Sequence, residues 1–366
     1  MRIALVCNRF HPSLGGVQQH VLRVAEWLAA EHQVTVLTNQ LTPDEALLDD
    51  YKGVRIVRFE PMVRYEHFKL PAGLGRYLSS HSTEFDLVHV HGWHDSLAMI
   101  VAQAWRGPYV FTLHSHAATA TRFRGVVHHL YRPVGLHAVR RASRVVCVSD
   151  HERIRWALRV PEAANWEVIS NGVDRTGLQA AAAKIEAIPG HLVSVGRVEQ
   201  YKRIDLTIRA LVSLPNARLT IVGSGPAEPE LKAIAQDNGV HDRVWFAGAL
   251  LEEHLQHLLA SASVLISMSE LEAQGLACLE AMAIGIPVVA SDIPAHRDLA
   301  TMAPEAICLV NLNSAAADLP VAITEALQRQ RRPIAAVPDW ADVAASLATL
   351  YQHVLDDRAQ LPHRVG

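Results

Sequence analysis

The sequence predicts an α/β protein of two doubly wound domains, each built on a parallel sheet covered by helices. Three observations lead there. At 366 residues the chain exceeds the usual size of one compact domain. Short β-branched runs, apolar on both faces, alternate with amphipathic helical stretches along its length, as strands buried in parallel sheets do. The alternation then restarts near HLVSVG (191–196), after the alanine-rich segment around residues 178–189.

Taken in order, RIALVC (2–7), QVTVLT (33–38), VRIVRF (54–59), DLVHVHG (86–92), YVFTLH (109–114) and RVVCVS (144–149) are the strands expected in the first domain. HLVSVG, RLTIVG (218–223), RVWFAG (243–248), SVLISMS (263–269), PVVASD (287–292) and ICLV (307–310) are those expected in the second. VQQHVLRVAEWLAAEH (17–32) and RIDLTIRALVSL (203–214) place apolar residues at i, i+3 and i+4, the spacing of helices that pack on a sheet. The junction falls within 168–190, giving a first domain over 1–170 and a second over 171–349. A last helix, over about 350–366, is expected to pack back on the first domain.

Half of the residues are hydrophobic and 19% are charged, a globular composition that excludes disorder. The net charge of −3 conceals an asymmetry. Residues 1–180 carry 20 Lys and Arg against 16 Asp and Glu, which leaves 14 against 21 for the remainder. Between Asp95 and Asp150 no acidic residue occurs, while Arg106, Arg122, Arg124, Arg132, Arg140, Arg141 and Arg144 do. Such a stretch is either a solvated basic surface or a patch for an anionic acceptor or an anionic membrane face. Cys7, Cys147, Cys278 and Cys308 lie in apolar runs without CxxC spacing and read as buried free thiols. The opening MRIALVCNRF lacks a signal-peptide pattern, and no apolar run approaches the ~20 residues of a membrane span. A cytoplasmic protein is expected.

Ligands of open parallel sheets bind beyond the carboxyl ends of the strands, so residues that directly follow strands matter most. In SELEAQGLACLEAMAIGIPVV, Glu272 and Glu280 stand eight positions apart, which is roughly 80° off alignment on a helix. Glu272 therefore belongs to a loop, and a helix starts near Gly275 and Leu276 with Glu280 inside it. That helix start offers N–H groups and a positive dipole end to a phosphate. In SVGRVEQYKRIDLTIRAL, Arg197 follows a strand and Lys202 precedes a helix, so two cations are placed to neutralise a diphosphate. Gly15 and Gly16 precede the first helix but do not form the dinucleotide fingerprint, which disfavours a nicotinamide enzyme. His89, His91, His94, His114 and His116 crowd two strand ends. Hydrogen bonding to sugar or phosphate suits them better than a metal, since only Asp95 stands at ligand spacing, and no metal site is expected.

In their order these segments resemble the family 4 retaining glycosyltransferases of the GT-B fold, two Rossmann-like domains facing an interdomain cleft. The resemblance runs through HPSLGG, FDLVHVHG, FTLH, VCVSD, VISNGVD, SVGRVEQYK, IVGSGP, RVWFAG, the paired-glutamate segment, GIPVVASD and the late PDW. It implies that Gly16 lies near phosphates and acceptor, and that His114 contacts the transferred sugar. By the same resemblance Arg197 and Lys202 bind the diphosphate, Glu272 the sugar hydroxyls and Glu280 the ribose. Gly223 and Gly225 resemble the turn bordering the nucleotide, Val244 to Gly248 the segment that holds the base, and Asn171 and Asp174 the interdomain linker. The sequence departs from the family at Gln274, usually aromatic, and at Arg203, usually glycine.

The implied activity is a metal-independent transfer of a hexosyl group, with retention, from a UDP- or GDP-linked sugar to an acceptor hydroxyl. The acceptor would be a glycan, a lipid-linked group or an anionic small molecule, with peripheral contact to an anionic membrane and no nucleic-acid partner. No cofactor beyond the donor is implied. An epimerase or hydrolase of the same two-domain architecture is the alternative.

Overall fold

The computed structural model describes residues 1–13, 15–65, 68–93, 96–115, 135–163 and 165–360. They form two units, Met1–Asn171 with Trp340–Gly366 and Gly172–Asp339.

The first unit carries an eight-stranded sheet in the order β10-β9-β8-β7-β1-β2-β4-β3. The strands are β1 (Arg2–Val6), β2 (Gln33–Asn39), β3 (Leu48–Tyr51), β4 (Val54–Phe59), β7 (Leu87–His91), β8 (Tyr109–Thr112), β9 (Arg144–Cys147) and β10 (Trp166–Val168). Every pairing is parallel except the β3–β4 edge. A separate antiparallel hairpin joins β5 (Pro61–Tyr65) to β6 (Phe68–Pro71). Strand order reverses between β1 and β7: the chain leaves β1 toward β2 and β4, then returns to build the other half from β7. The carboxyl ends of β1 and β7 therefore flank a crevice that no crossover connection covers.

Helix α1 (Gly16–Leu28) buries Val21, Val24, Ala25 and Leu28, the apolar stripe read from the sequence. Against it packs α2 (Trp340–Gln360), which buries Trp340, Val343, Ala344, Leu347, Leu350, Tyr351 and Val354. The expected return to the first domain at about residue 350 thus begins at Trp340. The apolar positions repeat every three or four residues without interruption, so the helix has no physical reason to start later. Tyr351 ties the helix to the sheet, because its hydroxyl lies 2.6 Å from Nδ1 of the fully buried His89, whose Nε2 meets Thr112 Oγ1 at 2.7 Å.

The second unit has six parallel strands in the order β13-β12-β11-β14-β15-β16. They are β11 (His191–Val195), β12 (Arg218–Val222), β13 (Val244–Gly248), β14 (Val264–Ser267), β15 (Val288–Ser291) and β16 (Ile307–Val310). Here the order reverses between β11 and β14, leaving a second crevice of the same kind. Apolar clusters cover both faces of this sheet, one around Leu219, Ile221 and Ile266 and one around Val193, Leu265 and Leu279. All four cysteines are free thiols, with Cys7, Cys147 and Cys278 buried and Cys308 partly so. No helix among the described residues is long and apolar enough to cross a membrane.

Replacing Tyr351 by Phe leaves the buried His89 Nδ1 without its partner. We expect a loss of about 1–3 kcal/mol, read as a lower urea midpoint at unchanged slope.

Candidate active site

The loops that leave β11 and β14 bring the predicted charges together. After β11 the backbone turns at Gly196, whose φ is +146°, and Gly223 at the end of β12 is pressed against it. A Cβ on Gly223 would stand 1.9 Å from the Gly196 carbonyl oxygen, so only glycine lets the two strand-end loops touch. Gly225 and Gly248 lie in the same group of strand-following turns, and Gly248 accepts the Gly223 N–H at 2.7 Å.

The Lys202 side chain passes over Gly196 and reaches Glu272 in the loop after β14, with Nζ 2.5 Å from Oε1. Ser269 Oγ donates to the same oxygen at 2.7 Å. Both charged groups are largely withdrawn from water. Burial alone would push the Lys202 pKa down and that of Glu272 up, yet their mutual attraction overrides it, raising the lysine and lowering the carboxyl. Both are ionised at neutral pH.

Arg197 is half exposed and donates to Glu199 Oε1 at 2.6 Å and to the Tyr201 hydroxyl at 2.8 Å. Tyr201 lies between the two cations, its ring centroid 5.7 Å from the Arg197 guanidinium carbon and 5.5 Å from Lys202 Nζ. Arg203 occupies the left-handed region, with φ +48° and ψ +38°, which explains why a glycine suits this position. Its guanidinium bridges Asp205 at 3.1 Å and Glu270 at 3.2 Å, joining the β11 and β14 loops a second time.

Helix α3 (Leu276–Ala283) opens at Gly275, which sits at φ +96°. Glu280 lies inside it as expected, only 9% exposed, and among the described residues no cation pairs with it. Burial pushes its pKa up to about 8, with the Glu252 and Asp174 charges adding to the effect. Cys278, on the same helix as Glu280, has its pKa raised to about 12 by burial, with the charges of both Glu272 and Glu280 adding to it.

Sequence reasoning missed three residues here: Tyr201, the bracing role of Arg203, and His296. His296 is fully buried, and a Cβ on Gly275 would lie 3.5 Å from its ring. Its Nδ1 meets the Ser291 carbonyl at 2.9 Å, and Ser291 Oγ donates to the Ser269 carbonyl at 2.5 Å. The chain of contacts ends at Glu272 through Ser269. A histidine inside an ordinary amphipathic stretch gives no local signal of this.

Val244 starts β13 opposite Leu219 and packs on the apolar cluster, whereas Gly248 ends the strand. Four residues of extended strand separate them by about 13 Å, so Val244 is not among the strand-end residues. Gln274 is buried at 4% exposure, where an aromatic ring was expected from the family pattern.

In the first unit Gly16 begins α1 in open space, preceded by Gly15 at φ +150°. His114 follows β8 with φ +47° and is buried beside His91 and His20, its Nε2 3.3 Å from His91 Nδ1. His20 lies far away in sequence, on α1, and was not anticipated in this group. His94, Asp95, His116, Arg122, Arg124 and Arg132 lie outside the described residues. Of the remaining basic stretch, Arg140 pairs with Glu162 at 3.6 Å and Arg144 with Asp357 at 2.7 Å, while Arg141 donates to the Trp105 carbonyl at 3.1 Å. The acids absent from the local sequence are supplied by distant segments, leaving Arg106 as an exposed arginine of the described part.

Two family descriptions match, Glycosyltransferase Family 4 over residues 14–176 and Glycosyl transferases group 1 over residues 183–330. The phosphatidyl-myo-inositol mannosyltransferase of Mycobacterium tuberculosis is 30% identical over 99% of both chains. The GDP-mannose:cellobiosyl-diphosphopolyprenol alpha-mannosyltransferase of Xanthomonas campestris is 28% identical over 87% of this chain and 86% of its own. Among solved structures, the sucrose-phosphate synthase of Thermosynechococcus elongatus superposes with a TM-score of 0.79 at 23% identity, covering 97% of this chain and 99% of that one. Likeness of this extent, carried by both halves, places the chain among the family 4 glycosyltransferases, enzymes of the GT-B fold.

Proposed function

We propose that this glycosyltransferase uses a nucleoside-diphosphate sugar and transfers its hexosyl group, with retention of anomeric configuration, to a hydroxyl of a phosphate-bearing lipid-linked acceptor. The observation that supports it best is the convergence of Lys202, Glu272 and Arg197 at the strand-order reversal of the second unit, next to a helix that starts at Gly275. Open parallel sheets bind ligands at this place, and a diphosphate needs cations and free N–H groups. GDP-mannose is the first donor to test and UDP-sugars the second, because the name of the Xanthomonas relative specifies GDP-mannose. An acceptor with lipid and phosphate follows the names of both relatives.

In this reading Arg197 releases Glu199 and, with Lys202, holds the two phosphates. Glu272, already fixed by Lys202 and Ser269, accepts hydrogen bonds from sugar hydroxyls. Glu280 accepts the two ribose hydroxyls, which supply the donors its carboxyl lacks. Gly223, Gly225 and Gly248 border the nucleotide, Leu276 begins the helix that faces the phosphates, and His114 and Gly16 serve the sugar and the acceptor. The bond from the anomeric carbon to the β-phosphate oxygen breaks as the acceptor oxygen attacks on the same face. The acceptor proton passes to the departing phosphate. Negative charge grows on that phosphate, and Arg197, Lys202 and the helix start stabilise it, so the reaction requires no divalent ion.

Three measurements test this. A thermal-shift screen of GDP-mannose and UDP- and ADP-sugars is expected to raise Tm with one donor class, since a ligand bound only to the native state stabilises it. The Lys202→Ala variant should lose on the order of a hundredfold or more in kcat, and wild-type turnover in an Arg197→Ala/Lys202→Ala protein would refute the assignment. The third is a pH profile. Glu280 is protonated below about pH 8 in the free protein, while ribose hydroxyls favour the ionised form. Nucleotide affinity should therefore rise with pH, by at most about tenfold per unit below that value, and level off above it. A Glu280→Gln variant should bind weakly and without this pH dependence.

A further inference from the structure

At the strand-order reversal of the first unit, three histidines from three elements meet: His20 on α1, His91 at the end of β7 and His114 in the turn after β8. One ring nitrogen of each lies within 4.8 Å of the others, and all three side chains are buried. Such a cluster is costly unless something binds it. Nε2 of His20 finds no hydrogen-bond partner among the described residues, and an orphaned buried group of this kind costs about 1–3 kcal/mol. His114 is in addition held in the left-handed region at φ +47°, which a β-carbon disfavours.

The contacts around the group resemble the surroundings of a metal ligand. His20 Nδ1 lies 2.8 Å from Asn171 Oδ1. An amide oxygen only accepts, so the proton sits on Nδ1 and the Nε2 lone pair points away from it. Metal-bound histidines are oriented in this way, by donating their second ring N–H to an oxygen. His91 Nδ1 and His114 Nε2 stand 3.3 Å apart, long for a hydrogen bond. Two nitrogens bound at 2.0–2.1 Å on a tetrahedral centre are separated by about the same distance.

We propose that His20, His91 and His114 form a binding site for a borderline transition-metal dication of the zinc type, with one coordination position left open. Imidazole nitrogens suit that class of ion, whereas magnesium and calcium prefer oxygen. The ion is not needed for the transfer step. If His114 contacts the sugar, as the transferase reading has it, the ion occupies the same ring and inhibits the enzyme.

The test is direct titration of the full-length, chelator-treated protein with ZnCl2 by calorimetry, and with CoCl2 by visible absorption. One equivalent of each ion is expected, with the intense absorption of four-coordinate cobalt. His20→Gln and His91→Gln should each abolish stoichiometric binding, and Asn171→Ala should weaken it about 10–100-fold by freeing the His20 ring. His89→Gln, outside the trio, should bind zinc as the parent does. Far-UV dichroism checks that each variant is folded, and Asn171→Ala carries the test if a histidine variant is not. Absence of stoichiometric binding, or binding unchanged in the folded variants, overturns the site. Zinc that binds without slowing transfer would leave the site standing and overturn the sugar contact of His114 instead.

Discussion

The ion pair between Lys202 and Glu272 joins the two loops that leave β11 and β14, and the charge arrangement of the second unit depends on it. Neither partner is tolerable alone where it lies. A buried charge that loses its counter-ion retains its desolvation penalty without the attraction that offset it. The pair exists because the sheet reverses its strand order between β11 and β14 and leaves their carboxyl ends without a covering crossover. The glycine contact at Gly196 and Gly223 lets the lysine lie flat over the loop, while Ser269 and the His296 contacts hold the glutamate from below.

Each of these cations is matched by an acid of its own: Lys202 by Glu272, Arg197 by Glu199, Arg203 by Asp205 and Glu270. The matches differ in strength. Exposed pairs such as Arg197 with Glu199 contribute at most about 1 kcal/mol and exchange partners readily. The Lys202 pair is held in a drier environment and persists. The two loops thus hold one cation that is fixed and one that is free to turn.

Much of this was legible in the sequence because parallel sheets write themselves as long apolar runs. All twelve runs read as strands lie on a strand of the structure. What escaped has physical reasons. The β3 edge strand, Leu48–Tyr51, is mostly polar and exposed, and its turn relies on Lys52 at φ +52° rather than on a glycine pair. The hairpin of β5 and β6 contains proline at both ends, which masks the strand pattern. Among the charged residues, Arg197, Lys202 and Glu272 announced themselves by lying in loops that follow strands, and Glu280 by its spacing from Glu272. Tyr201, His296 and His20 did not, since each meets its neighbours only in the folded chain. Val244 and Gly248, taken together from one segment, stand at opposite ends of β13.

The chain enters the first unit, leaves it at Asn171 and re-enters at Trp340. The second unit is thus an insertion in the first. On the ribosome its sheet is fully synthesised before the first unit has its last helix. Until that helix emerges, α1 lacks its packing partner and His89 lacks Tyr351. The order of completion is therefore inverted relative to the order of synthesis: the half made first closes last, and a truncated product keeps an open apolar face against which a chaperone or protease can act.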